Sequence, residues 1–337
     1  MDYKEMLKEP KYDFLRTNEH LGSRLILLGM GGSISYGTNQ DTSDIDVRGI
    51  AVCGKKELLG LSQFEQYIDE QTDTVVYAFQ KMIRLLMDCN PNTIELLGLK
   101  PDHYLYVSAL GQELLARRKM FLSRRAIHSF GGYADQQLRR LQNALARNSM
   151  AQSEREQHIF RSVKNAMYNF MQHYQSFENG SMRIYVDKAV NPQMDTEIFL
   201  DASLNHYPLR DYTNIWNEMN NVVKEYNKIG KRNRKKDDSH LNKHAMHLIR
   251  LFFMALDILE KEEINTYREA EQPLLMSIRR GEFQKPDGSY REEFYELLSD
   301  CERRLAYAAE HTSLPDKPDE KRIEEFVVHV NEEALKL

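Results

Sequence analysis

Asp44 and Asp46 flank Ile45 in the stretch GGSISYGTNQDTSDIDVRG, residues 31–49. Ile45, Val47, Ile50 and Val52 are strand formers, whereas aspartate is depleted from strands unless something rewards it. Strand side chains alternate faces, so the spacing predicts both carboxylates on one side, roughly 6 to 7 Å apart along the strand. Two carboxylates so placed repel each other unless a cation lies between them. Mg2+ or Mn2+ suits such a pair, being a hard ion that takes oxygen ligands from one or two carboxylates together with substrate phosphates. Upstream, Gly31, Gly32 and Ser33 follow the apolar run Leu25, Ile26, Leu27, Leu28 and precede ISYG. Glycine lets the backbone approach a phosphate, and free amides with the Ser33 hydroxyl can donate to its oxygens. A phosphate cradle beside a metal clamp predicts phosphoryl chemistry.

The elements that must position these groups form an α+β pattern. Up to about residue 120, β-like runs at 24–28, 44–52, 64–69 and 74–77 alternate with helical runs at 79–89 and 93–97. Beyond it, apolar residues at three- and four-residue steps predict helices at 127–147, 154–174, 211–229, 239–261, 270–280, 290–311 and 320–336. The reading is an α/β catalytic domain, residues 1–120, followed by a mostly helical domain, 121–337. Residues 179–210 form an irregular insertion with room for a hairpin, and GKRNRKKDD is a charged linker ahead of a helix capped by Asp238 or Ser239. The turn NQDTSD assigns Asp41 and Thr42 to turn geometry alone. Asn92 and Glu95 have capping-box spacing, which favours a helix start over an active-site role.

A third carboxylate is needed from a strand beside the Asp44–Asp46 strand, and QYIDEQTDTVVYAF offers Asp69, Glu70 and Asp73. In the helical part, Lys243, His247 and Arg250 share a helix face at steps of four and three. They fit either triphosphate contact or a salt-bridge stripe facing the acidic sheet. His240, His244 and His247 have ligand-like spacing, but no Cys or HExxH accompanies them. Arg279 and Arg280 read as helix-end charges complementing the dipole or as phosphate contacts. Basic runs at 117–119, 124–125, 139–140 and 231–236, with Tyr133, Tyr168, Tyr174 and Tyr185, fit an RNA-tracking surface or ordinary solvated faces, and most of the 18 tyrosines serve packing.

Composition narrows the classes. A net charge of -5 over 337 residues excludes a uniformly basic nucleic-acid coat, and 41% hydrophobic residues suffice for a packed interior. Cys53, Cys89 and Cys301 are widely spaced, which argues against a disulfide framework or a zinc site. The polar first residues and the absence of a long apolar run predict a cytoplasmic protein with no membrane partner.

Gly32-Ser33 with Asp44-Ile45-Asp46 resembles the signature of the DNA polymerase β nucleotidyltransferase superfamily. SYGT, SDIDVRG, NPNTIELL, GGYADQQLRRL, KHAMHLIRL, IRRGEF and SLPDKPD resemble more specifically the predicted nucleotidyltransferases of RNA-repair-pathway type, over nearly the whole chain. The resemblance implies a mixed sheet and metal-dependent transfer of a nucleoside monophosphate from an NTP, ATP being the expected donor. The acceptor is a hydroxyl on an RNA end, a protein or a small molecule. It implies Asp44, Asp46 and Asp73 as catalytic metal ligands, with Asp69 as the alternative to Asp73. Gly32, Ser33, Tyr36, Arg48, Lys243, His247 and Arg250 are the expected nucleotide contacts, Arg48 alternatively neutralising the carboxylates. The competing class is a degenerate member that only binds nucleotide or RNA. Gly29-Met30-Gly31, ahead of Gly32-Ser33, departs from the family pattern and leaves open which amide meets phosphate.

Overall fold

The computed structural model describes residues 3–149, 153–154, 156–157, 160–161, 182–192, 195–203, 209–213, 216–217, 219–224 and 238–336. The chain divides into two compact units, one of Met1–Arg140 with Asn242–Leu337 and one of Leu141–Leu241. The expected helix at 154–174 falls largely outside the described residues and that at 211–229 in part, 212–213, 216–217 and 219–224 being helical, while the basic run 231–236, Tyr168 and Tyr174 lie outside them.

The first unit is built on a mixed five-stranded sheet of order β3-β4-β2-β1-β5. The strands are β1 (Leu25–Met30), β2 (Val47–Ala51), β3 (Gln66–Asp69), β4 (Thr74–Ala78) and β5 (Tyr104–Val107). β1 runs antiparallel to both β2 and β5, β2 parallel to β4, and β3 antiparallel to β4. Every residue of β1 is buried, as an apolar strand covered on both faces requires. Leu25, Leu28, Met30 and Val47 pack with Met6, Tyr12, Leu15 and Leu21 of the N-terminal segment. Ile26, Ile50 and Val52 belong to a larger core reaching Phe79 and Met82, Met254 and Ile258, and Phe326 and Val330.

The helices used below are α1 (Gly32–Tyr36), α2 (Pro91–Ile94), α3 (Asp238–Leu256) and α4 (Gln272–Arg279). From Asn242 onward the chain lies in the same compact unit as the sheet, which is what brings the α3 stripe to the sheet. Three departures from the sequence reading have simple causes. Asp44 and Asp46 lie just before β2 rather than inside a strand, because a turn at Asp41 and Thr42, closed by Ser43 N–H to the Gln40 carbonyl at 2.9 Å, delays regular pairing until Val47. Asn90, not Asn92, caps α2 by accepting the Asn92 amide at 3.0 Å. β5 is a four-residue edge strand with too few alternations to register as one.

In the second unit a hairpin pairs Met182–Lys188 with Thr196–Ala202, within the stretch read as an irregular insertion. Tyr185 lies in it, its hydroxyl 3.2 Å from Asp201 Oδ1 and its ring stacked on Phe199.

Candidate active site

β1 delivers the chain into Gly31 and Gly32, and α1 begins there. Gly32 has φ +57°, and a Cβ at this position would overlap Asp46 Oδ2 and stand 2.7 Å from its Cγ. Only glycine satisfies both the left-handed backbone and the contact. The Gly31 amide donates to the Asp46 carbonyl at 2.8 Å, so the amides left for a ligand are those of the first turn of α1. Ser33 is half-buried, and its hydroxyl has no hydrogen-bond partner among the described residues.

Asp46 and Asp73 meet because β2 and β4 run parallel with Val47 opposite Thr74, which leaves the two preceding residues side by side. The Val47 amide donates to the Asp73 carbonyl at 3.1 Å. Asp73 adopts φ 44°, a backbone that a short polar side chain tolerates at modest cost. Arg48 Nη2 lies 3.1 Å from Asp46 Oδ1 and 3.2 Å from Asp73 Oδ1, while its Nη1 donates to the Asp73 carbonyl at 2.6 Å. Burial, and then the hydrogen bond shared with Asp73, push the Asp46 carboxyl up to about 6 despite the opposing charges of Arg48 and Lys243. The same shared hydrogen bond, with Arg48, holds Asp73 below the usual carboxylate range. The two carboxylates thus disfavour joint ionisation, a repulsion that a hard cation between them would relieve.

Asp69 is engaged elsewhere: its Oδ1 accepts the Thr72 amide at 2.9 Å and hydroxyl at 2.8 Å inside the β3–β4 turn. Asp44 is exposed and lines a cavity of about 470 Å3 together with Lys11, Glu70 and Asp73. Among the described residues, no three His, Cys, Asp or Glu side chains stand close enough to hold a metal together. The two-carboxylate, all-oxygen pair of Asp46 and Asp73 still fits Mg2+ or Mn2+, which one or two carboxylates and substrate phosphates commonly hold.

The α3 stripe faces this corner. Lys243 is exposed, and its charge is felt at Asp46. The His247 ring meets Tyr36 edge-on at 6.5 Å between centroids. Burial first, then the nearby charges of Arg250, Lys243, His244 and Arg279, pull its ionisation well below the ordinary histidine value. Arg250 is buried, stacked over the Tyr36 ring at 3.6 Å and 3.7 Å from Glu95 Oε2. The Tyr36 hydroxyl donates to that same Glu95 oxygen. Burial raises both the Tyr36 and the Glu95 ionisations. Sequence reasoning favoured a capping role for Glu95 over an active-site one. The available signal was a glutamate inside the apolar run TIELL, where a charge needs a partner.

Three residues of the basic surface runs are neutralised by ion pairs. Arg117 pairs with Glu113, Arg124 with Asp316 and Arg125 with Asp88, at 3.1, 3.7 and 2.9 Å. The Tyr133 hydroxyl accepts from the Asn92 side chain at 2.8 Å.

Residues 6–170 match the model of the RNA repair pathway DNA polymerase beta family, RlaP. This segment belongs to that family. The match takes in the Gly32-Ser33 turn, Asp44, Asp46 and Asp73, and the mixed sheet with its helices is the corresponding α+β polymerase-beta-like fold. Family membership points to a polymerase-beta-like nucleotidyltransferase connected with RNA repair. No curated protein and no solved structure matches the chain. No described helix is long and apolar enough to cross a membrane.

Proposed function

We propose that this protein is a metal-dependent nucleotidyltransferase that moves a nucleoside monophosphate from an NTP, ATP foremost, to a hydroxyl acceptor, an RNA end foremost. The observation carrying this reading is the pairing of Asp46 with Asp73 directly against the Gly32–Ser33 turn. In the reaction the acceptor oxygen forms a bond to the α-phosphorus and the bond to the bridging oxygen breaks. Pyrophosphate leaves, and the hydroxyl proton passes to a carboxylate of the cluster. Asp46 and Asp73 would hold Mg2+ or Mn2+ as a pair, and Asp44, exposed in the same lead-in to β2, would join them only by turning its side chain inward. When bound, such ions lower the acceptor's pKa and neutralise charge on the phosphates.

The chain's own groups do the positioning, which is most of what phosphoryl transfer requires. The first amides of α1 and the Ser33 hydroxyl donate to phosphate oxygens. Arg48 keeps the two aspartates together when no cation is present. Glu95, Arg250 and Tyr36 pin the last residue of α1 to α3, so that Arg250 and Tyr36 act through the orientation of α1. Lys243 brings its charge to bear on Asp46, and His247 meets the Tyr36 ring.

The test is incubation with α-labelled and, separately, γ-labelled ATP, Mg2+ and either total RNA or cell lysate. The expected result is α label in an acceptor fraction and γ label in pyrophosphate. ATP binding without label in any fraction, under Mg2+ or Mn2+, would move the protein to the class of nucleotide-binding modules.

A further inference from the structure

The motif GGYADQQLRRL has no part in the catalytic corner, and its glycines stand where a helix gains nothing from them. Gly131 and Gly132 lie inside the helix Arg125–Ser149, and glycine is among the poorest helix formers. Packing does not demand them either, because a Cβ at each position would meet no atom within 4 Å.

The opposite face of this helix is committed to the rest of the unit. Ser129 Oγ donates to the Cys89 carbonyl at 2.8 Å, the Asn92 side chain donates to the Tyr133 hydroxyl at 2.8 Å, and Gln137 Oε1 lies 3.2 Å from His244 Nδ1. Helical periodicity then turns Gly131, Gly132 and Asp135 the other way. There they line a cavity of about 510 Å3, within the size range of small-molecule sites. Its far wall is the helix Glu292–His311, where Ala306 leaves the gap as open as the glycines do. Ile127, Leu305 and the buried ring of Phe252 make its apolar lining.

Besides the His128 ring, the ionisable groups lining the cavity are two carboxylates, Asp135 and Glu302. Both are exposed, and neither makes an ion pair among the described residues. The arginines that follow Glu302 are occupied, Arg303 by Asp300 and Arg304 by Glu260. An apolar hollow edged by unpaired carboxylates repels anions and offers a bare metal ion nothing in its lining. We infer that this cavity is a binding site for an organic cation, an ammonium group carried on an apolar body. The lining takes the body, and Asp135 and Glu302 take the charge.

The site is separate from the catalytic corner and stands whether or not the protein transfers nucleotide. Phe252 is two residues beyond Arg250 on α3, about 200° around the helix, so the cavity and the Arg250–Glu95 tie lie on opposite sides of α3.

The probe is 4-phenylbutylamine, with 4-phenylbutyrate as the charge-reversed control of the same body, each titrated calorimetrically into the full chain at low salt. Wild type is expected to bind one equivalent of the amine, and the acid at least about tenfold more weakly. Asp135→Asn with Glu302→Gln should weaken the amine about tenfold and narrow its preference over the acid, as two exposed ion pairs predict. Gly132→Leu leaves every charge in place but fills the cavity, and should also lose about tenfold or more. Gly131→Ala with Gly132→Ala should melt higher than wild type, since each alanine favours the helix and meets no obstacle. A lower melting temperature would show that packing requires the glycines and would overturn the inference. Equal affinities of wild type for amine and acid would reduce the site to an apolar hollow, and amine binding unaltered in Gly132→Leu would place it elsewhere on an acidic surface; either result overturns the inference. Absence of saturable amine binding by wild type would also overturn it and leave the groove to a protein segment.

Discussion

Replacing Arg250 by methionine separates a structural tie from a phosphate contact. Arg250 is 6% exposed, lies 3.7 Å from Glu95 Oε2 and covers the Tyr36 ring at 3.6 Å. Removing one partner of a buried ion pair costs about 3 to 5 kcal/mol, because the other is left uncompensated. Here the Tyr36 hydroxyl still donates to Glu95, and burial already favours its protonated form, so the lower end, about 3 kcal/mol, is expected. For a unit of this size that lowers the melting temperature by roughly 6 to 12 °C. Glu95→Gln with Arg250→Met together should recover most of the loss, since a neutral pair of similar volume has no buried charge to satisfy, and the coupling should reach about 1 to 3 kcal/mol. Calorimetry on the wild type, both single variants and the double variant measures the cycle. ATP affinity per folded molecule is measured on the same samples. An Arg250→Met protein with an unaltered melting temperature and a raised KM for ATP would refute the structural tie and return Arg250 to the triphosphate.

Asp46→Asn should raise stability near pH 7.5 in the absence of metal. The shift of Asp46 from 3.8 to about 6 corresponds to roughly 3 kcal/mol. Partial solvent access and the opposite shift at Asp73 reduce this to about 1 kcal/mol, and a denaturant melt showing a clear loss would contradict the buried repulsion. Ser33→Ala should leave the melting temperature unchanged and weaken ATP binding by about 1 to 2 kcal/mol, read as KM, because the hydroxyl has no protein partner to lose. His247 is half-buried, and desolvation together with the charges of Arg250, Lys243, His244 and Arg279 holds its folded pKa well below the ordinary 6.5. Above pH 7 it is neutral in both states and contributes no pH dependence. Below 6.5 the unfolded chain takes up a proton that the folded one refuses, and stability falls by up to about 1.4 kcal/mol per pH unit. The difference between wild type and His247→Gln should therefore open below pH 6.5, and parallel pH profiles would rule the burial out.

The sequence announced the catalytic corner more readily than the fold around it. Gly32-Ser33 and Asp44-Ile45-Asp46 were visible because glycine, serine and paired aspartates in an apolar setting violate strand preferences, and violations concentrate where chemistry occurs. The choice between Asp69 and Asp73 was not legible, because both lie in one hairpin. The parallel register of β2 and β4 is a long-range pairing that the local pattern does not encode, and it brings Asp73 beside Asp46. Arg48 was left between phosphate and carboxylate for the same reason. The helical period of α3 located the shared face of Lys243, His247 and Arg250. Their different fates depend on what lies near each: Glu95 and Tyr36 for Arg250, and Asp46, on which its charge acts, for Lys243. Glu95 was ranked as a cap partner ahead of a site residue because the spacing of Asn92 and Glu95 fits a cap, while the cap is made by Asn90. Arg279 at a helix end looked like a dipole charge, since nothing in its neighbours along the chain reveals that the turn at Gly281, just past α4, returns to Asn242.

The central claim is that Asp46 and Asp73 together carry nucleotidyl transfer. The direct measurement is the rate of α-label transfer from ATP, with Mg2+, by wild type, Asp46→Asn, Asp73→Asn and Asp69→Asn, each first shown to be folded by calorimetry. The account expects transfer by wild type, retention within a few-fold by Asp69→Asn, and loss of at least about a hundredfold by each of the other two. Full transfer by Asp46→Asn or Asp73→Asn, or loss confined to Asp69→Asn, would contradict it.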